Sequence, residues 1–155
     1  MRAHFVSLPI LIAAAIAISA GADPVRAAET TAAAQTSTLT VTFTGLKTQT
    51  GAVMFTLAGS PAAYDDKAPA AAQAMLTVSS DSVSQTFSGL APGRYAIKAF
   101  HDVNGDGKMN TNPFGIPIEP FAFSNNAVGG MGPAKWEAAS FEVKAGANTH
   151  TLTID

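Results

Sequence analysis

Thr38-Leu39-Thr40-Val41-Thr42-Phe43-Thr44 alternates hydroxyl and apolar side chains without a break, the period-two signature of a strand with one buried face and one wet face. Gly45 and Gly51 then bracket a turn. Ala52-Val53-Met54-Phe55-Thr56-Leu57 follows as a denser apolar run bounded by glycines, the pattern of a central strand covered on both sides. These two strands are expected to pair as a hairpin.

The same punctuation continues along the chain. Gly59 to Ala72 carries Pro61, Asp65-Asp66 and Pro69 and reads as a long loop, with a short helical piece across its alanines left open. Met75-Leu76-Thr77-Val78 and Val83-Ser84-Gln85-Thr86-Phe87 flank Ser79-Ser80-Asp81-Ser82, a turn-forming stretch that predicts a second strand pair. Ala91-Pro92-Gly93 is a tight turn into a strand where Tyr95, Ile97 and Ala99 alternate with Arg94, Ala96, Lys98 and Phe100. Phe141-Glu142-Val143 and Thr149 to Ile154, separated by Ala145-Gly146-Ala147-Asn148, predict a last hairpin. About seven short strands and no long helix indicate an all-β fold, an antiparallel two-sheet sandwich with one long ordered loop.

The N-terminus reads differently. Arg2 and His4 precede an apolar run from Phe5 to Ile18 and small residues ending Ala20-Gly21-Ala22, the three-part plan of a secretory signal peptide. A second cleavage point follows Val25-Arg26-Ala27, so residues 1–27 are expected to be removed and 28–37, poor in large apolar groups, to form a flexible leader to a domain over 38–155. The apolar run is shorter than the roughly 20 residues of a membrane span. A periplasmic or secreted protein without a membrane span is the expectation.

The chain has no cysteine, which removes lipid attachment through a thiol and any disulfide framework and leaves stability to the core. Without residues 1–27 its nine cationic residues fall to seven and its eleven acids to ten, a formal charge of −3. With no basic cluster, that balance argues against nucleic acid and anionic membrane surfaces as partners. A monomer that meets an envelope or extracellular protein, or a glycan, is expected.

From Phe87 to Tyr95 the phrase Gly89-Leu90-Ala91-Pro92-Gly93-Arg94-Tyr95 resembles the turn into a core strand of prealbumin-like and collagen-binding B-type sandwich modules. Read on through His101-Asp102, Asn104, Lys108, Asn112, Phe114-Gly115, Pro117, Glu119 and Phe123-Ser124-Asn125-Asn126, the chain resembles the domain-of-unknown-function family 2141 of bacterial exported proteins. The likeness spans about residues 38–155 and is most specific from Gly93 to Asn126. It implies a small secreted or periplasmic sandwich, prealbumin-like or immunoglobulin-like, and says little about activity. It also leads one to expect an acid at position 110, where this chain has Asn110, so one possible ligand charge is missing.

Chemistry concentrates between the strand ending near Phe100 and the one starting near Ser140, a segment far longer than ordinary loops. His101-Asp102-Val103-Asn104-Gly105-Asp106-Gly107 places oxygen-bearing side chains at alternate positions before a glycine, as an EF-hand-type loop does around calcium. In that reading Asp102, Asn104 and Asp106 are ligands, Lys108 offers its carbonyl, Asn110 binds directly or through water, and Glu119 replaces the absent twelfth-position acid if the loop folds back. Pro113 stands at that twelfth position. Two carboxylates and neutral amides would bind weakly, with Kd on the order of 10⁻⁴ to 10⁻³ M. In the metal-free alternative, favoured because the ligand set is partial, Asp and Asn side chains bond their own backbone while Gly105 and Gly107 take positive φ.

A hydrolase centred on His101 is the enzymatic alternative. Adjacent residues of a strand point to opposite faces, so Asp102 cannot serve as the partner of His101; Ser124 or Glu119 would have to be brought in, and no nucleophile motif supports either. His101 is expected instead to anchor the loop through a backbone carbonyl, and the chain to be non-catalytic. Phe114, Ile116, Ile118, Phe121, Phe123 and Trp136 are expected to pack down as the loop's own small core, with a binding surface for a sugar, peptide or protein as the second reading. An edge strand from Glu119 to Ser124 and one helical turn over 134–139 complete the prediction.

Overall fold

The computed structural model describes residues 36–155, so the predicted signal peptide and most of the leader lie outside the described residues. Eight strands form two sheets: β1 (Ser37–Thr44), β2 (Ala52–Ala58), β3 (Ala72–Thr77), β4 (Val83–Leu90), β5 (Gly93–Asp102), β6 (Phe121–Phe123), β7 (Phe141–Val143) and β8 (Gly146–Thr153). Two single-turn helices, α1 (Pro61–Tyr64) and α2 (Trp136–Ala139), sit in the connections. Ser60 caps α1 by accepting the amide of Ala63, with Pro61 at the first helical position. Among the described residues no helix is long and apolar enough to cross a membrane.

One sheet has the order β4-β1-β8; the other runs β3-β2-β5-β6, with β7 also on β5. The two-sheet sandwich is therefore as expected, with eight strands rather than about seven. Its pairing differs from the expectation. β1 and β2 do not form a hairpin, nor do β3 and β4, nor β7 and β8: in each case the chain crosses from one sheet to the other. The sandwich is also not wholly antiparallel, since β1 and β8 run parallel from Ser37–Gly146 to Thr44–Thr153. The physical reason is that Leu39, Val41 and Phe43 are hidden equally well whether Val53, Phe55 and Leu57 lie beside them in one sheet or across the core from them. Here they lie across, and Phe43 meets Phe55 at a ring separation of 4.7 Å.

The inter-sheet core gathers those six residues with Tyr95, Ile97, Val143, Leu152 and Ile154. A second cluster covers the outer face of the β2–β5 sheet: Ala58, Ala63, Tyr64, Ala96, Phe123, Ala134 and Ala139, with Trp136 packed against them. Ala58 of β2 and Ala96 of β5 are thus buried on the face turned away from the inter-sheet core. The Tyr64 hydroxyl is buried there without a hydrogen-bond partner, and burial first, with Asp65 adding to it, pushes its pKa up to about 12.

β6 and β7 lie one after the other along the same edge of β5, pairing at Lys98–Phe100 and at Gly93–Tyr95. The gap between them is closed by Ser124, whose Oγ accepts the Ile97 amide at 2.8 Å and donates to the Ala139 carbonyl at 2.6 Å. Beside it Asn125 and Asn126 adopt positive φ. Asn125 Nδ2 donates to the carbonyls of Ala138 and Ser140, and Asn126 Oδ1 accepts the Thr153 amide of β8. Three consecutive polar side chains thus clasp β5, the end of α2 and the edge of β8.

Candidate functional site

The long loop leaves β5 at Asp102 and returns at Glu119, and both carboxylates are buried, 2 % and 8 % exposed. Burying two acids needs partners, and the loop's own backbone supplies them. Asp102 Oδ1 accepts the amides of Gly105 at 2.7 Å and Asp106 at 3.2 Å, and Oδ2 accepts Gly107 at 2.7 Å. Glu119 Oε1 accepts Val103 at 3.0 Å and Oε2 accepts Asn110 at 2.9 Å. The loop does fold back far enough to bring Glu119 to the 101–110 turn, and there it ties the two strands of the loop base together.

The remaining predicted ligands complete a chain of local turns. Asn104 Oδ1 accepts the Asp106 amide at 3.0 Å and Asp106 Oδ1 accepts the Lys108 amide at 2.9 Å. Asp106 Oδ2 accepts from the side-chain amides of Asn104 and Asn110, at 3.2 and 3.1 Å. Gly105 and Gly107 take φ of +74° and +78°, values that glycine adopts without strain. Among the described residues no three carboxylate, imidazole or thiol groups are arranged to hold a metal ion. The ring of amide donors itself offsets the repulsion between Asp102 and Asp106.

His101 is 1 % exposed. Its Nε2 lies 2.7 Å from the Thr50 carbonyl oxygen, so that nitrogen carries the proton, and its backbone amide donates to Pro120 at 2.8 Å. It anchors the loop as the sequence predicts. Ser124 is bonded to Ile97 and Ala139, and Glu119 to Val103 and Asn110. The β1–β2 connection presses on the same place: Gly51, at φ +69°, lies so close to the Asp102 carbonyl that a Cβ would collide with it. A cavity of about 40 Å³ beside His101, lined also by Lys47, Pro120 and Asp155, has room for about a water.

The apex of the loop departs most from expectation. Phe123 and Trp136 pack inward and Phe121 on β6 is left 37 % exposed, but at the apex Phe114 is 88 %, Ile116 58 % and Ile118 65 % exposed. The reason is a local turn strong enough to hold them outward. Asn112 Oδ1 accepts the amides of Phe114 at 2.9 Å and Ile116 at 3.0 Å. The Gly115 amide donates to the Asn112 carbonyl, Asn112 donates to Ile116, and Ile118 donates to Asn110, across an antiparallel bridge between Thr111 and Pro117. Asn112-Pro113-Phe114-Gly115 carries the signal for this turn, an Asx cap, a proline at the second position and a glycine at the fourth.

A family model described as an uncharacterised protein conserved in bacteria, DUF2141, matches residues 41–151, from the middle of β1 through most of β8 and across the whole loop. The chain belongs to this family. The match takes in the Asp102–Glu119 brace, the apex and the clasp at Ser124–Asn126 together. No curated protein and no solved structure matches the chain.

Proposed function

We propose that this DUF2141 protein is an exported, non-catalytic sandwich module that acts by binding, with the apex of the 101–120 loop as its contact element. The observation that carries the reading is Phe114, almost fully exposed at the tip of a turn whose base is held by two buried carboxylates. A large apolar side chain held in water by a braced backbone implies a surface that receives it. Export is supported by the leader pattern of residues 1–27. A non-catalytic role is supported by the commitments of His101, Ser124 and Glu119 to backbone partners. Calcium at Asp102, Asn104, Asp106, the Lys108 carbonyl, Asn110 and Glu119 would meet carboxylates that already hold amide donors, and we assign it no part in the binding.

The test is photo-crosslinking in the source cell's envelope. A benzophenone side chain in place of Phe114 should capture a defined protein, glycan or lipid, whereas the same probe in place of Ser84 on the β4 face should not. Equal labelling from both positions, or none from position 114, would reject the apex as the contact element.

A further inference from the structure

The apex has a second property, independent of its exposure. From Asn112 to Ile118 no backbone N–H is left open: Asn112, Phe114, Gly115, Ile116 and Ile118 all donate within the loop, and Pro113 and Pro117 have none to donate. No residue from Met109 to Ile118 carries a charge. A partner protein reads a loop through such donors and charges as well as through its apolar groups. Their absence lowers the cost of leaving water, because each open N–H or charge carried toward an apolar phase loses hydration.

We propose that the apex is a lipid-docking finger that seats Phe114, Ile116 and Ile118 in the interfacial layer of a bilayer. The assignment rests on the binding reading above and names the surface bound. The turn is convex and short, so it enters only to headgroup and upper acyl depth, where the carbonyls of Pro113, Phe114 and Gly115 can keep water. Lys108 is the nearest cation along the chain before the apex, and no basic cluster accompanies it, so attraction to anionic headgroups supplies little of the affinity. Burial of apolar area supplies it, and Phe114 has most to bury.

The experiment is co-sedimentation of the protein, as isolated from cells, with uncharged phosphatidylcholine vesicles. The wild type should partition to the vesicles, equally at about 0.1 and 0.5 M salt because no charge pair is involved. Phe114→Ser should lower the partition coefficient roughly tenfold or more while leaving the melting temperature unchanged, since the side chain touches no core. Failure of the wild type to partition, or equal partitioning of Phe114→Ser, overturns the lipid assignment. If vesicles fail while the probe at position 114 captures a protein, lipid docking falls and the binding module stands; if both fail, both readings fall.

Discussion

Asp102 satisfies three amides with one carboxylate, and its replacement measures what the brace contributes. Asp102→Ala leaves the amides of Gly105, Asp106 and Gly107 without their acceptor, and each partly buried orphan costs about 1 kcal/mol or more. A loss of about 2–4 kcal/mol in chemical denaturation is expected. Asp102→Asn keeps one acceptor oxygen and turns an amide donor toward the other site, so its loss should fall in between. Equal stability of all three proteins would mean that water replaces the carboxylate without penalty. The Asp-x-Asn-x-Asp-Gly spacing made this residue legible in the sequence as an oxygen donor facing its own turn. What the spacing does not encode is which donors answer it, because amide hydrogens and a cation satisfy the same oxygens.

At the scale of the elements, the loop and the clasp behave as separate devices. The 101–110 turn is closed by amides, so the melting temperature should be the same in chelator and in ~10 mM calcium, a concentration that would saturate a millimolar site. A rise of several degrees, abolished by Asp106→Ala, would show that an ion adds to the brace. The clasp carries its own pH dependence. His150 on β8 stacks on Phe141 at 3.8 Å and its Nε2 accepts the Asn125 amide at 3.2 Å; burial pushes its pKa down from the ordinary histidine value. The unfolded chain takes up this proton at about pH 6.5 and the folded chain only lower. The contribution of His150 is therefore complete above pH 6.5, shrinks as pH falls below it, and levels off once the folded imidazole is also charged. His150→Phe, which keeps the stack, should flatten the decline in melting temperature between about pH 7 and 5; an unchanged profile would assign the decline to other groups. The reach of Asn126 to β8 is not written in the local sequence, because it depends on where the rest of the fold places that strand.

For the whole molecule, alternation told which side chains of β1 and β5 are buried, and those faces are the core. It could not tell hairpins from crossings, since Leu39, Val41 and Phe43 vanish from water equally in either arrangement, and so β1 acquires a parallel neighbour in β8. The exposed apex escaped for a related reason: apolar content predicts burial only when the backbone is free to fold inward, and Asn112 and the two buried carboxylates hold it outward. The loop keeps this shape by its own carboxylates and amides. Amide hydrogen exchange in the presence of chelator tests it most directly. The amides of Gly105, Gly107, Asn110, Phe114 and Ile116 should exchange well below unfolded-peptide rates, and Asp102→Ala should release those of Gly105 and Gly107 first. Unprotected exchange across this set in the wild type, with β1, β2 and β5 still protected, would mean that these carboxylates and amides do not hold the loop.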